Sequence, residues 1–464
     1  MCKEKTPERK KIMKEKFDYL KTRTDLTILV IGGGGRESAI VRKIVQSPKV
    51  KKIYCAPGSA GIKEISDKVR IVDINATDIS RLRDFALEHS VDITFVGLEE
   101  PLVAGIVDEF QKEGLAIVGP TKEAAKLEGS KIFTRRLLHK MGVPSAEFRV
   151  FNESEIEESI NYINSTLCIP CVVKVDGLAG GKGAMVCHTL EEVDNALERI
   201  KSGEFKEASK LFLVEEFLKG EEASYIVLVD VNGNILPLAS SQDHKSRYEG
   251  GKGSNTGGMG AYSPAPVVTK EVEQKILEKI IRPVLAEMKK DGAPFFGVLY
   301  VGVMIKDENP DLVEFNVRLG DPETQVIIPR MKKPNLVEIM IAVLTGELDQ
   351  ITIEWDKRSA VCVVLATNGY GERSELETGY PISGLREAAK LGVIIDHAGT
   401  MIDGSGRFVN NGGRVLGITA LGDNFHKAAM NAYAAVHQIT WFNKAYRADI
   451  ARRAIERNDD IKKK

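Results

Sequence analysis

Short apolar runs, each closed by glycine or proline, dominate the first part of the chain. Residues 26–31 run into Gly32, 52–55 into Ala56-Pro57-Gly58, 93–96 into Gly97 and 116–118 into Gly119-Pro120. Runs this short fit strands buried on both faces of a parallel sheet. Helical stretches of about 10–15 residues separate them, the first opening at Arg36-Glu37-Ser38-Ala39-Ile40, so the segment predicts an open α/β sheet. Ligands in such sheets bind beyond the carboxyl ends of the strands, where the glycine-bearing turns fall.

The rhythm changes near Lys131. A helix is predicted from there to Met141, with Gly142 as its cap. Strands are predicted at 172–175, 184–187, 211–215, 224–229, 298–305 and 312–317, and a last helix at 424–437. Between Asp243 and Ala265 the run QDHKSRYEGGKGSNTGGMGAYSPAP predicts a long loop. A loop of that length inside a compact domain is usually functional or disordered. After about residue 355 the chain returns to short strands and loops.

A length of 464 residues gives a prior of about three domains. Hydrophobic residues at 43% and charged residues at 28% exclude disordered, collagen-like and coiled-coil chains. The net charge of −1 lacks the basic surplus of a duplex-binding protein, although a local basic patch stays open. No apolar run approaches the ~20 residues that cross a bilayer. Residues 1–24 carry nine Lys/Arg and four Asp/Glu and have no apolar stretch. They fit neither a secretory signal nor a transit peptide and are expected to be a solvated, partly helical extension. Six cysteines in this length suggest a reducing compartment. Cys168-Ile-Pro-Cys171 has redox or zinc spacing, but it lacks a second pair and leads straight into a strand, so packing is the expected role.

Four segments carry candidate chemistry. Gly32, Gly33, Gly34 and Gly35 precede a helix, where backbone N–H groups and the helix dipole suit a phosphate. A tight turn is the alternative. The third position of a dinucleotide fingerprint is Ser38, and no acid ends the second strand, which argues against NAD. Lys174-Val-Asp176-Gly177 through Gly183 fails as a Walker A loop, having three residues between Gly177 and Gly181 and no Ser/Thr for magnesium. With strands on both sides it predicts a glycine-rich hairpin that closes over a triphosphate, with Lys174 and Lys182 neutralising charge. In 312–318, a period of two puts Glu314, Asn316 and Arg318 on one face and Val313, Phe315 and Val317 on the other. A carboxylate and an amide oxygen suit Mg²⁺, and Arg318 suits a phosphoryl group; an internal Glu314–Arg318 ion pair is the alternative. Finally, Val214 and Phe217 can flank an adenine whose edge bonds the 215–218 backbone.

Together these segments resemble the ATP-grasp ligases, and within them the phosphoribosylamine–glycine ligase family of purine biosynthesis. The resemblance spans about 26–455 and rests on IGGGGRESA, VVKVDGLAGGKG, VEEFLKGEEAS, NTGGMGAYSPAP, EFNVRLGDPETQ, HAGT, VNNGGRVLGITALG and YRADIARRAI. It implies an α/β chain of four structural units: an N-terminal open parallel-sheet substrate domain (25–128), an ATP-grasp core (129–149 and 215–354), a small flap domain (150–214) and a C-terminal mixed α/β domain (355–464). The implied reaction phosphorylates glycine with ATP to glycyl phosphate, which 5-phosphoribosylamine then attacks to give glycinamide ribonucleotide, ADP and phosphate. Arg318 and Lys174 are the implied catalytic residues. Lys131, Lys174, Glu215, Glu216, Phe217 and Glu222 are the implied ATP site, and Glu314 and Asn316 the implied ligands of Mg²⁺ (or Mn²⁺). Gly32 to Gly35, Asp243, Lys245, Asn255, Thr256, Arg318 and Asp321 are the implied substrate side. The partners implied are small molecules, with neither nucleic acid nor membrane, in a cytoplasmic monomer with a dimer as the alternative. The chain departs from the family pattern at Ser38 (usually His), at Leu98 (usually Pro), at Val317 and Leu319, and at Glu249-Gly250-Gly251, where Asp is common. A ligase of the same class with a different substrate pair is the rival enzyme reading. A non-catalytic nucleotide binder is the rival outside catalysis; it should have lost Lys174, Glu314, Asn316 or Arg318.

Overall fold

The glycine-terminated apolar runs become strands of one parallel sheet in the computed structural model, which describes residues 16–180, 183–372 and 375–463 (side chains to 457). Its strands are β1 (Leu26–Gly32), β2 (Val50–Pro57), β3 (Val69–Ile71), β4 (Ile93–Val96) and β5 (Ile117–Val118), in the order β3-β2-β1-β4-β5. Ile28, Leu29, Val30 and Ile31 are wholly buried, as expected of a strand covered on both faces. The strand order reverses between β1 and β4, so their carboxyl ends define the crevice of this domain. The short β3 was not anticipated from the sequence.

Residues 16–24 are not the solvated tail that their charge suggests. Phe17 and Leu20, three apart on a short turn of helix, are 4% and 0% exposed in the main core, and Lys21 pairs with Glu347 at 2.6 Å. Two apolar residues at that spacing face one way, which a count of charges does not detect. The rest of the extension, residues 1–15, lies outside the described residues.

The flap is an antiparallel sheet of β6 (Phe148–Asn152), β7 (Cys171–Val175), β8 (Ala184–Cys187) and β9 (Leu211–Glu216), in the order β6-β9-β7-β8. It has a core of its own, built from Phe151, Val173, Phe212 and Val214 against Leu197 of the helix Leu190–Lys201. Cys171 faces Cys187 across β7 and β8 as a free, buried thiol within that core, while Cys168 is exposed. The expectation for Lys182, together with Gly181, falls outside the described residues. The large antiparallel sheet joins β10 (Glu221–Val229) and β11 (Ile235–Pro237) to the strands Gly297–Lys306 and Asn309–Asn316.

The expected long loop after Asp243 is ordered. Gln242–Asp243 and Gly260–Ser263 are strands in the six-stranded sheet of the C-terminal domain, Gly260 pairing with Val363 and Ser263 with Ala360. Between them Ser246–Tyr248 and Lys252–Asn255 form a hairpin. The strands Ser359–Thr367, Arg414–Gly422, Ile394–His397 and Lys444–Ala445 complete the sheet. The helix Phe425–Gln438, whose Asn424 cap accepts from the Lys427 N–H, packs on it through Ala428, Ala432 and Val436. Among the described residues no helix is long and apolar enough to cross a membrane.

Candidate active site

A cavity of about 410 Å³ lies where flap, large sheet, N-terminal domain and the 242–263 segment meet. The strand Asn309–Asn316 supplies one wall, and its alternation persists to Arg318. Phe315 and Val317 are 3% and 1% exposed in the core, while Glu314, Asn316 and Arg318 line the cavity. Arg318 donates from Nη2 to the Asn316 Oδ1 (3.1 Å). Its ion partners are Glu99 (3.1 Å) and Glu128 (3.2 Å), so the internal Glu314–Arg318 pair is not formed. Those carboxylates come from short helices 190 and more residues earlier in the chain. Burial alone would raise Glu99, but Arg318 and Arg36 hold it below its ordinary value. At Glu128 burial prevails over Arg318 and pushes the carboxyl up to about 7.

Two cationic clusters face this strand. Lys245 lies between Glu222 (2.5 Å) and Glu314 (3.1 Å). Burial would raise Glu314, but Lys245 first and Lys174 next hold it down at about 2. Lys174 sits 2.5 Å from Glu215, which also receives both arms of Arg135 (2.5 and 2.9 Å). Arg135 further donates to the carbonyls of Leu312 and Val313 and so ties the helix Lys131–Met141 to the flap strand β9 and to the strand that carries Glu314. Burial pushes Lys174 below its ordinary value against the pull of Glu215. Burial would raise Glu215, but Lys174 and Arg135 hold it at about 2.

The flap docks through its glycine turn. Asp176 accepts from Ser130 Oγ (3.1 Å) and from the Ile132 N–H (3.0 Å), and Lys131 donates to the Gly177 carbonyl (2.8 Å). The remaining wall comes from the C-terminal sheet and its neighbours. Asp243, Asn255, Thr256 and Asp321 line the cavity. The Thr256 N–H and Oγ1 both donate to the Lys245 carbonyl, fixing the base of the hairpin. Arg414 pairs with Asp321 (3.3 Å), and Tyr370 accepts from the Gly257 N–H (2.9 Å). Beneath them Tyr300 and Ser224 both donate to Glu323 at 3.0 Å.

Sequence reasoning missed Arg135, Tyr300, Glu323, Tyr370 and Arg414. The signal for Arg414 was its position in VNNGGRVLG, and that for Arg135 its position in GSKIFTRRLL. Several expected residues are placed differently. Glu215 holds two buried cations with its carboxylate. Glu216, Phe217 and Glu222 are not walls of the cavity: Phe217 packs edge-on against His188, and Glu222 reaches inward to Lys245. The glycines 32–35 do not line it either. The Gly34 N–H donates to Glu37 Oε2 (2.7 Å), and a Cβ at Gly33 would lie 2.3 Å from the Gly58 carbonyl oxygen. Those glycines permit close packing at the end of β1.

The donor set fits a hard divalent cation. Glu314 and Asn316 offer oxygen ligands, and the Lys245 ammonium between Glu222 and Glu314 shows that these carboxylates already hold a positive charge. Among the described residues no cluster of three His, Cys, Asp or Glu forms a closed metal cage, so further ligands would be phosphate oxygens and water.

A flap sheet and a large antiparallel sheet that close on a cavity with lysines on one side and an acid–amide–arginine strand on the other define an ATP-grasp enzyme. The same fold is seen in the biotin carboxylase of Campylobacter jejuni, at 14% identity and a TM-score of 0.67 over 90% of this chain and 92% of that one. The chain belongs to the phosphoribosylglycinamide synthetase family, whose N domain matches residues 26–128, ATP-grasp (A) domain 129–324 and C domain 360–453. It is 46% identical to the phosphoribosylamine–glycine ligase of Escherichia coli strain K12 over 94% of this chain and all of that protein. The corresponding ligase of Allochromatium vinosum is 45% identical over 93% of this chain and 99% of its own length. The crystal structure of the ligase from Thermotoga maritima superposes with a TM-score of 0.75 at 30% identity, over 91% of this chain and all of that one.

Proposed function

We propose that this chain joins glycine to 5-phosphoribosylamine at the expense of ATP, giving glycinamide ribonucleotide, ADP and phosphate. The observation that carries the reading is the cavity itself. Lys131 and Lys174 stand on its flap side, Glu314 and Asn316 on the strand that ends there with Arg318 just beyond it, and Asn255 and Thr256 on the NTGGMGAYSPAP segment that closes the far wall. In the first step a glycine carboxylate oxygen attacks the γ-phosphorus, the bond to the bridging oxygen breaks, and ADP leaves. In the second the amine attacks the acyl carbon of glycyl phosphate, and inorganic phosphate leaves with the C–O bond electrons. A carboxylate is a poor electrophile, so phosphorylation supplies the leaving group, and the protein contributes positioning and charge neutralisation. Lys131 and Lys174 neutralise ATP phosphates, and Arg318 faces the phosphoryl group in transit. Arg318 is held for that task by Glu99 and Glu128 from the N-terminal domain. Glu314 and Asn316 would hold Mg²⁺, or Mn²⁺, which would supply further neutralisation of the phosphate charge. Asp243, Lys245 and Asp321 complete the substrate side.

The test is ADP release with ATP, glycine and freshly generated phosphoribosylamine, omitting each in turn. Release that needs all three, with glycinamide ribonucleotide recovered by mass spectrometry, is expected. Release that proceeds with other amino acids but not with this pair overturns the substrate assignment.

A further inference from the structure

Two features have no role in the reaction as described: the motif YRADI near the end of the chain, and the Glu249-Gly250-Gly251 departure at the tip of the substrate hairpin. They meet in space. Arg447, 3% exposed, donates through Nε and Nη2 to both oxygens of Asp449 (2.8 Å each) and through Nη1 to the Ser246 carbonyl (2.9 Å). Asp449 Oδ2 also accepts from the Gly250 N–H (2.9 Å), and Glu249 Oε1 accepts from the Ala448 N–H (3.1 Å). Gly250 has φ of +68°, a left-handed conformation that glycine adopts without cost and that turns its N–H toward Asp449. The returning strand is held separately, by Ser254 Oγ on the Gly371 carbonyl (2.7 Å) and by the Gly257 N–H on Tyr370.

A hairpin of two short strands is marginal alone in water, so its shape must come from what it is tied to. Here the tip is tied to residues 446–450 and the return to residues 370–371, while Asn255 and Thr256 face the cavity between those ties. A bidentate Arg–carboxylate pair is the strong and geometrically specific form of such a tie. None of these anchoring groups touches the Lys131–Lys174 side of the site.

We propose that Arg447 and Asp449 are positioning residues: a clasp from the C-terminal domain that presets the 246–255 hairpin for the non-nucleotide substrates. The inference rests on the function proposed above and locates within it the part of the chain that sets affinity for glycine and phosphoribosylamine, independently of ATP. It also accounts for the glycine pair, because a side chain at position 250 would resist the backbone turn that the Asp449 contact uses.

The experiment compares the full-length protein with Asp449→Ala and Asp449→Asn, measuring KM for each substrate, kcat and amide exchange across residues 246–257. With Ala, the KM for glycine or phosphoribosylamine should rise about tenfold, the scale for losing a charge-assisted hydrogen bond. The KM for ATP should stay within about twofold, which is the error expected of an uncoupled site. Exchange of the hairpin amides should accelerate. Asn keeps an acceptor for Gly250 but loses the charge that Arg447 holds, so it should fall between Ala and wild type. Equal rises in all three KM values, or no change in any, overturns the clasp. If the wild-type protein fails to couple glycine with phosphoribosylamine, the function itself falls instead, and the two failures are distinguishable.

Discussion

Glu215→Gln isolates the electrostatic hinge of the site. The side chain of Glu215 is 2% exposed and holds Lys174 at 2.5 Å while gripping Arg135 with both oxygens. An amide of the same shape keeps the packing and removes the charge, leaving two buried cations facing each other. Breaking a buried pair in this way costs about 3–5 kcal/mol. The carboxyl itself gives a second figure: its fall from the ordinary 4.5 to about 2 is worth about 3 kcal/mol at 1.36 kcal/mol per pH unit. The variant should therefore lose about 3 kcal/mol of stability at neutral pH, read as a lowered urea midpoint. The sign with pH follows. A carboxylate depressed on folding contributes fully above its unfolded value and loses the contribution as pH falls through its folded one. Wild type should therefore lose this increment between pH 4.5 and about 2, and the gap to the variant should close over that window. Activity should fall as well. Lys174, unpaired, favours its neutral form and no longer neutralises phosphate, so kcat/KM for ATP should drop about a hundredfold. A variant within about 0.5 kcal/mol of wild type at pH 7, the scatter of an ordinary surface change, would refute the triad as an energetic unit.

Glu314→Ala should lower turnover in the ADP-release assay by about a thousandfold or more, since a charged metal ligand on the phosphoryl path is lost; wild-type rates would remove the metal assignment. Deleting residues 1–24 should lower the thermal midpoint, because burying Phe17 and Leu20 contributes about 1.5–3 kcal/mol each, whereas deleting residues 1–15 removes neither; equal midpoints for the two truncations would contradict this. Asp176→Ala removes the Ser130 and Ile132 bonds of the flap latch and leaves only the Lys131–Gly177 bond of that turn, so the KM for ATP should rise about ten- to a hundredfold; an unchanged ATP titration would show that the Asp176 contacts are idle.

How much of this was legible beforehand varied with the range of the interaction involved. The parallel strands could be read because a both-face-buried strand is a local pattern, an apolar run stopped by glycine. The reacting strand could be read because a period of two is also local, and Glu314, Asn316 and Arg318 fall on one face. The 242–263 segment reads as a loop because its strands are two to four residues long with glycines between them, and what makes Gly260–Ser263 a strand is Ser359–Thr367, about 100 residues later. The segment 16–24 was misread for the opposite reason: its composition is charged, and only the helical spacing of Phe17 and Leu20 carries the packing signal.

Charge pairing was the least legible property, because sequence gives the sign of each group and says nothing of its distance. Arg318 and Glu314 stand four apart and invite an ion pair, but Arg318 lies in the bend just past the end of the strand at Asn316. Arg318 therefore takes its partners from Glu99 and Glu128, on other elements, and Glu314 takes Lys245. The same argument relocates Glu215. In a strand that ends in two acids, Glu215 pairs with Val172 in the register, points inward and reaches Lys174, which stands two residues along opposite Leu213, and Glu216 points to solvent. A buried carboxylate must find cations, and those paired with Glu215 are Lys174 and Arg135. The result is a site in which the lysine proposed to neutralise ATP is itself held by an acid, the Glu215 carboxylate 2.5 Å away.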